Sequence, residues 1–166
     1  MGCYLRILGD FNPEELLSDC RVNLKPERLW KKGDAVGRTQ RFCEDSGIQF
    51  VVSQAPREDY RRLFGQASFF LSANKEWVRS LAMDSRVEEA FLDFGLSQDL
   101  HPAYYRRLPL NLIQWSGVCR VEIELSFYAI SEKGGGVGSH PNTQIPSGIA
   151  GHGEGERSDE HGCFPD

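Results

Sequence analysis

The chain reads as an α+β domain: an antiparallel or mixed sheet with two main helices on one face, ferredoxin-like in flavour, followed by a flexible C-terminal tail. Three observations lead there. CYLRILG at 3–9 and VCRVEIELSFYAI at 118–130 alternate apolar and polar residues with a period of two. DFNPEELL at 10–17 and NKEWVRSLAMDSRVEEAFLDFGL at 74–96 carry helix starts and broad apolar stripes instead. After Ser131 the composition changes: nine of the 17 glycines fall in the last 36 residues, and Phe164 is the one aromatic there. The expected organisation is a single domain over residues 1–130 and a glycine-rich, acidic tail over 131–166. The tail holds too little apolar surface to offset the entropy of ordering it.

Each element follows in order. In the first strand Cys3, Leu5 and Ile7 share one face, and Tyr4, Arg6 and Leu8 the other. Asn12 is placed to cap a helix, Pro13 suits its first position, and Glu15 sits three residues after the cap. Phe11 and Leu16 are spaced as a hydrophobic staple, so helix one should run from about Pro13 to Cys20. Residues 23–47 read as a long ordered loop punctuated by Gly33, Gly37 and Gly47, with a short strand near 39–43. IQFVVS at 48–53 is a strand, Arg57 to Phe64 one or two helical turns, and ASFFLS at 67–72 a short aromatic strand. The second main helix starts at a capping Asn74. Its stripe runs through Val78, Leu81, Ala82, Val87, Ala90, Phe91 and Phe94, and Gly95 closes it with Leu96 as the following contact. LPLNLIQWSG at 108–117 is a short helix ended by Gly117. The last strand sets Val121, Ile123, Leu125, Phe127 and Ala129 against Arg120, Glu122, Glu124, Ser126 and Tyr128. One solvated face is the pattern of an antiparallel sheet.

Composition excludes several function classes. The net charge is −5, of which the tail carries −4, so the body is nearly neutral and lacks the basic excess of a nucleic-acid binder. A single-stranded nucleic-acid surface built on the strand aromatics is disfavoured for the same reason. The five cysteines are odd in number, widely spaced and form no C-x-x-C pair, which fits reduced thiols in the cytoplasm rather than a disulfide or zinc framework. No apolar run reaches the length of a signal or membrane segment, so no membrane partner is expected. MGCYLR places Gly2 as for acylation, but Arg6 stands where that pattern needs Ser or Thr.

No G-x-S-x-G elbow, Walker loop or H-E-x-x-H occurs, and neither a catalytic residue, a metal ligand nor a cofactor is expected. GGGVG at 134–138 opens no capped helix and reads as linker. His140, His152 and His161 are spread through the tail, without the fixed short spacing a metal needs. Glu122 and Glu124 share a strand face, as a glycosidase pair could, though an exposed sheet face is the ordinary explanation.

What remains are two basic-aromatic stretches. Trp30, Lys31 and Lys32, with Arg38 and Arg41 downstream, form one; Tyr105 and Arg106 in YYRRLP form the other. Tyr, Trp and Arg are the residue types of interface hot spots, so these are the candidate binding residues for a protein partner. The plainer reading packs Trp30 over a sheet edge and leaves the lysines solvated. The rival is an enzyme or small-ligand site assembled from His101, Cys43, Arg38 and Arg41.

The succession of LRI, GDF with Pro13, Pro26, WKKG at 30–33, and the run from LPLNLI to SFY at 108–128 resembles a bacterial family catalogued only as a domain of unknown function, number 4279. The resemblance covers about residues 3–130. It implies a cytoplasmic α+β domain with no established enzyme activity. By analogy with small families encoded near toxin genes, it also implies an immunity-type inhibitor. The chain departs from the pattern in its more aromatic middle, residues 57–72, and in its glycine-rich tail.

Overall fold

The computed structural model describes residues 2–37, 41–56, 58–98 and 107–129. The expected tail at 131–166 lies outside them, as do the first two residues of the short strand expected at 39–43; the rest of that stretch forms only an isolated bridge, Ala35 with Phe42. The elements are β1 (Cys3–Gly9), α1 (Pro13–Asp19), β2 (Arg28–Trp30), β3 (Ser46–Ser53), α2 (Tyr60–Ala82), β4 (Val87–Gln98), α3 (Leu110–Cys119) and β5 (Glu122–Ala129). The five strands form one mixed sheet in the order β2-β3-β1-β4-β5. β1 pairs antiparallel with both β3 and β4, β2 pairs antiparallel with β3, and β5 pairs parallel with β4. β3 and β4 therefore run in the same direction with β1 between them, and α2 makes the crossover. That split β-α-β unit is the ferredoxin-like part of the fold. The chain crosses once more through α3 to set β5 beside β4.

All three helices share one apolar cluster with one face of the sheet. Cys3, Leu5 and Ile7 of β1, Ile48 and Phe50 of β3, and Ala90, Leu92, Phe94 and Leu96 of β4 meet Leu16, Leu63, Leu71, Leu81 and Leu112 there. Phe94 packs edge-on to Phe64, and Trp77 lies between Phe50 and Phe70. Each fully buried Leu or Ile contributes about 1.5–3 kcal/mol.

α1 forms as its sequence dictates. The Asn12 side chain accepts from the Glu14 N–H at 3.2 Å and donates to Glu15 at 3.3 Å, while Phe11 and Leu16 are both buried. At its far end Arg86 donates to Asp19 at 2.9 Å and to Asp84 at 2.8 and 2.9 Å, joining α1 to the turn between α2 and β4.

The middle of the chain differs from expectation. ASFFLS is not a strand, and Asn74 caps nothing: both lie inside α2, which is capped by Asp59 accepting from the Arg62 N–H. Leu63, Ala67, Phe70, Leu71, Val78 and Leu81 recur at helical spacing straight through Asn74. That residue donates to the Phe70 carbonyl and accepts from the Trp77 indole. The expected second half of that helix is instead β4, and Gly95 is a strand residue paired with Ser126. The expected helix stop at Gly117 falls two residues early; Arg120, at φ 60°, ends α3 in the left-handed region. β5 is parallel to its neighbour, not antiparallel. Residues 28–30, expected as loop, form the edge strand β2.

Two consequences are measurable. The Trp30 indole lies so close over Gly47 that a Cβ there would collide with it. Gly47→Ala should cost about 1–3 kcal/mol in urea unfolding, and combining it with Trp30→Ala should cost less than the sum of the two. Hydrogen bonds from Arg86 hold the Asp84 carboxyl below its ordinary 3.8, at about 2. Because the folded value is the lower one, this contribution is complete above pH 3.8 and fades as pH falls through about 2. Asp84→Asn should therefore destabilise the chain at pH 6 and narrow its loss of stability between pH 4 and 2, read by thermal unfolding across that range.

Candidate functional site

Helices cover one face of the sheet. The opposite face carries the alternate residues: Arg28 and Trp30 on β2, Gln49 and Val51 on β3, Tyr4 and Arg6 on β1, Phe91 and Asp93 on β4, Glu124 and Ser126 on β5. At its centre Arg6 Nη2 meets Asp93 Oδ2 at 2.8 Å, with both side chains only 11% exposed. Arg6 is paired in register with Phe91, and Asp93 with Tyr4, so the two charges are diagonal neighbours across one ladder. That separation is within reach of an arginine. Ser126 donates to Asp93 from β5 at 3.3 Å, and Gln49 donates to Glu27 at 2.9 Å on the other side. Burial pulls the Arg6 guanidinium below its ordinary value, opposed by Asp93, Glu124 and Tyr128. Burial also pushes the Tyr4 phenol up, helped by Glu27.

The sequence-derived residues fall at the border of this face. Trp30 is half-buried on β2, and the Arg28 guanidinium lies 5.9 Å from its ring centroid. Lys31 and Lys32 follow on an exposed tight turn closed by the Asp34 N–H on the Lys31 carbonyl, 2.9 Å. Gly33 occupies its third position at φ 85°, as a type II turn requires. Lys31 reaches Glu14 at 3.1 Å, a solvent-exposed pair that stabilises little. Arg41 is exposed, its carbonyl accepting from the Val36 N–H. Arg38, Tyr105 and Arg106 lie outside the described residues, and so does His101. Of the rival set, Cys43 and Arg41 are thus the two that can be placed. Cys43 is buried, its backbone bonded to Gly33 and Asp34.

Sequence reasoning missed Arg6, Asp93, Tyr4 and Phe91 as a group. Its one available signal was a charged residue amid the apolar strand CYLRILG.

The remaining chemistry is spare. The thiols of Cys3 and Cys119 are pushed up by burial, away from the reactive thiolate. Among the described residues no group of three His, Cys, Asp or Glu could hold a metal ion. No helix among them is long and apolar enough to cross a membrane. Glu122 and Glu124 are exposed beside a cleft of about 520 Å³, which Glu88, Glu89 and Arg120 also line. A second groove of about 610 Å³ runs between β3 and α2, lined by Val51, Ser53, Arg62, Gln66 and Phe69. Comparisons with family models, curated proteins and solved structures find no match to the chain.

The ion pair should behave as a buried one. Asp93→Ala leaves the Arg6 charge without its nearest carboxylate and should cost about 3–5 kcal/mol, whereas Arg6→Met with Asp93→Leu should cost far less. Chemical denaturation of the three variants measures the difference.

Proposed function

We propose that the domain is a non-enzymatic protein-binding module that meets its partner on the helix-free face of the sheet. One observation carries this reading: Tyr4, Arg28, Trp30 and Phe91 share the sheet face that holds the Arg6–Asp93 pair. Three of these are half-buried and Arg28 is exposed. Large aromatics and arginine around a dry polar centre are the composition of interface hot spots. The three half-buried rings have few rotatable bonds, so they lose little side-chain entropy on binding. The resemblance to the family of unknown function adds an immunity-type inhibitor of a toxin as the specific form, acting in the cytoplasm. A small-ligand site is the alternative, and the groove between β3 and α2 is the feature that favours it.

Capture of partners by the wild-type chain and by Arg28→Glu with Tyr4→Ala separates these readings. A partner held through this face is lost with that variant and kept by a Phe69→Ala control in the groove. Equal recovery by all three chains removes the face from the proposal.

A further inference from the structure

β5 closes the sheet on one side, and among the described residues no strand pairs with its outer edge. Sheet edges of that length are normally blunted by charged side chains, most often lysine, by a proline or by a bulge, and the charges on β5 are two acids confined to its first half. β5 is eight residues long, EIELSFYA, contains no lysine or proline, and keeps an unbroken register with β4. The helix preceding it is equally unguarded. α3 reads LNLIQWSGVC, without a single charge, yet Leu110 is 69%, Ile113 48% and Val118 45% exposed. Those three, with Gly117 and Gln114, share its outward face. A helix with no charge and an exposed apolar stripe is ordinarily a covered helix. Phe127, on the same side of the sheet as α3, is 50% exposed.

The order of residues along β5 says what fits there. We propose that the occupant is a second copy of this chain, with the two β5 strands antiparallel about a two-fold axis at Leu125. Two-fold pairing sets each residue opposite one on the same face of the sheet. Centred on Leu125, Glu122 meets Tyr128, Glu124 meets Ser126, Ile123 meets Phe127, and Leu125 meets its own copy. Each acid faces an uncharged residue, and each apolar residue an apolar one. Moving the axis one position toward the N-terminus, to Glu124, would set that acid against itself, a destabilising pair. The two five-stranded sheets become one of ten strands, and the uncharged faces of α3 approach across the axis, with Gly117 allowing close contact.

Light scattering or sedimentation of the full chain up to about 100 µM should show the mass rising from 18.7 kDa toward twice that value. Phe127→Lys, a change at an exposed site, should weaken the dimer by about tenfold or more. Tyr128 tests the antiparallel pairing of the two strands. Tyr128→Lys, opposite Glu122 of the second copy, should tighten the dimer, and Tyr128→Glu should loosen it, each by roughly two- to thirty-fold over two symmetric pairs. Circular dichroism checks that each variant is folded. A chain that stays at 18.7 kDa throughout overturns the proposal, whether the edge is then vacant or taken by another protein's strand. So does a dimer that responds to Phe127→Lys but to neither change at Tyr128.

Discussion

The register of β1 is the constraint on which the rest of the domain depends. β1 is bonded on both sides, so its alternate residues point into two incompatible surroundings. Leu5 and Ile7 enter the apolar layer under the helices, while Tyr4 and Arg6 enter the polar face. A slip of one residue against β3 or β4 would send Arg6 among Phe50, Phe64 and Phe94 and expose Leu5. An unpaired charge in that layer would cost several kcal/mol. In the native register the Asp93 carboxylate sits on the diagonal that Arg6 reaches. Hydrophobic burial on one face sets which residues are inside, and the ion pair on the other face ties β1 to β4.

This two-sidedness also explains what could be read from the chain alone. β1, α1, β3, α3 and β5 were legible because each carries a local signal: alternation, or a cap followed by a stripe. The boundary between α2 and β4 was not. Val87, Ala90, Phe91 and Phe94 fit a helical stripe, but Ala90, Leu92, Phe94 and Leu96 fit an alternating strand equally well. Leu92 and Leu96 decide it, because a helix would have placed both outside its apolar stripe, whereas in β4 both are fully buried. Within 67–72 the apolar run is too short to reveal its period; the spacing shows once Leu63 and Trp77 are counted with it. The face around Arg6 and Asp93 was out of reach for a different reason. The two residues are 87 positions apart, and they become neighbours through strand pairing, which no local pattern encodes.

The two edges of the sheet are built on opposite principles. β2 is three residues long, is preceded by Pro26 and followed by Lys31 and Lys32, and folds the Trp30 indole back over Gly47. Every one of those features discourages another strand from adding there. The basic-aromatic composition of residues 30–32 also suits the end of a sheet. Trp30 and Arg28 keep a share in the open face because their side chains point along it; the lysines, out on the turn, do not.

At β5 the same reasoning runs in reverse. Among the described residues no strand lies beside the outer edge of β5, which holds no lysine, proline or bulge. The charges on β5 lie where they discriminate between partners: both acids sit in the N-terminal half of the strand, and both hydroxyl side chains in the C-terminal half. A parallel second copy in register would set Glu122 and Glu124 each against itself, and only the antiparallel arrangement separates them. α3 imposes the complementary condition from the helical layer. Its exposed Leu110, Ile113 and Val118 gain by meeting another apolar surface, and the surface that necessarily accompanies a second β5 is a second α3. Strand order and helix composition, read separately, therefore both fit a partner of the same shape.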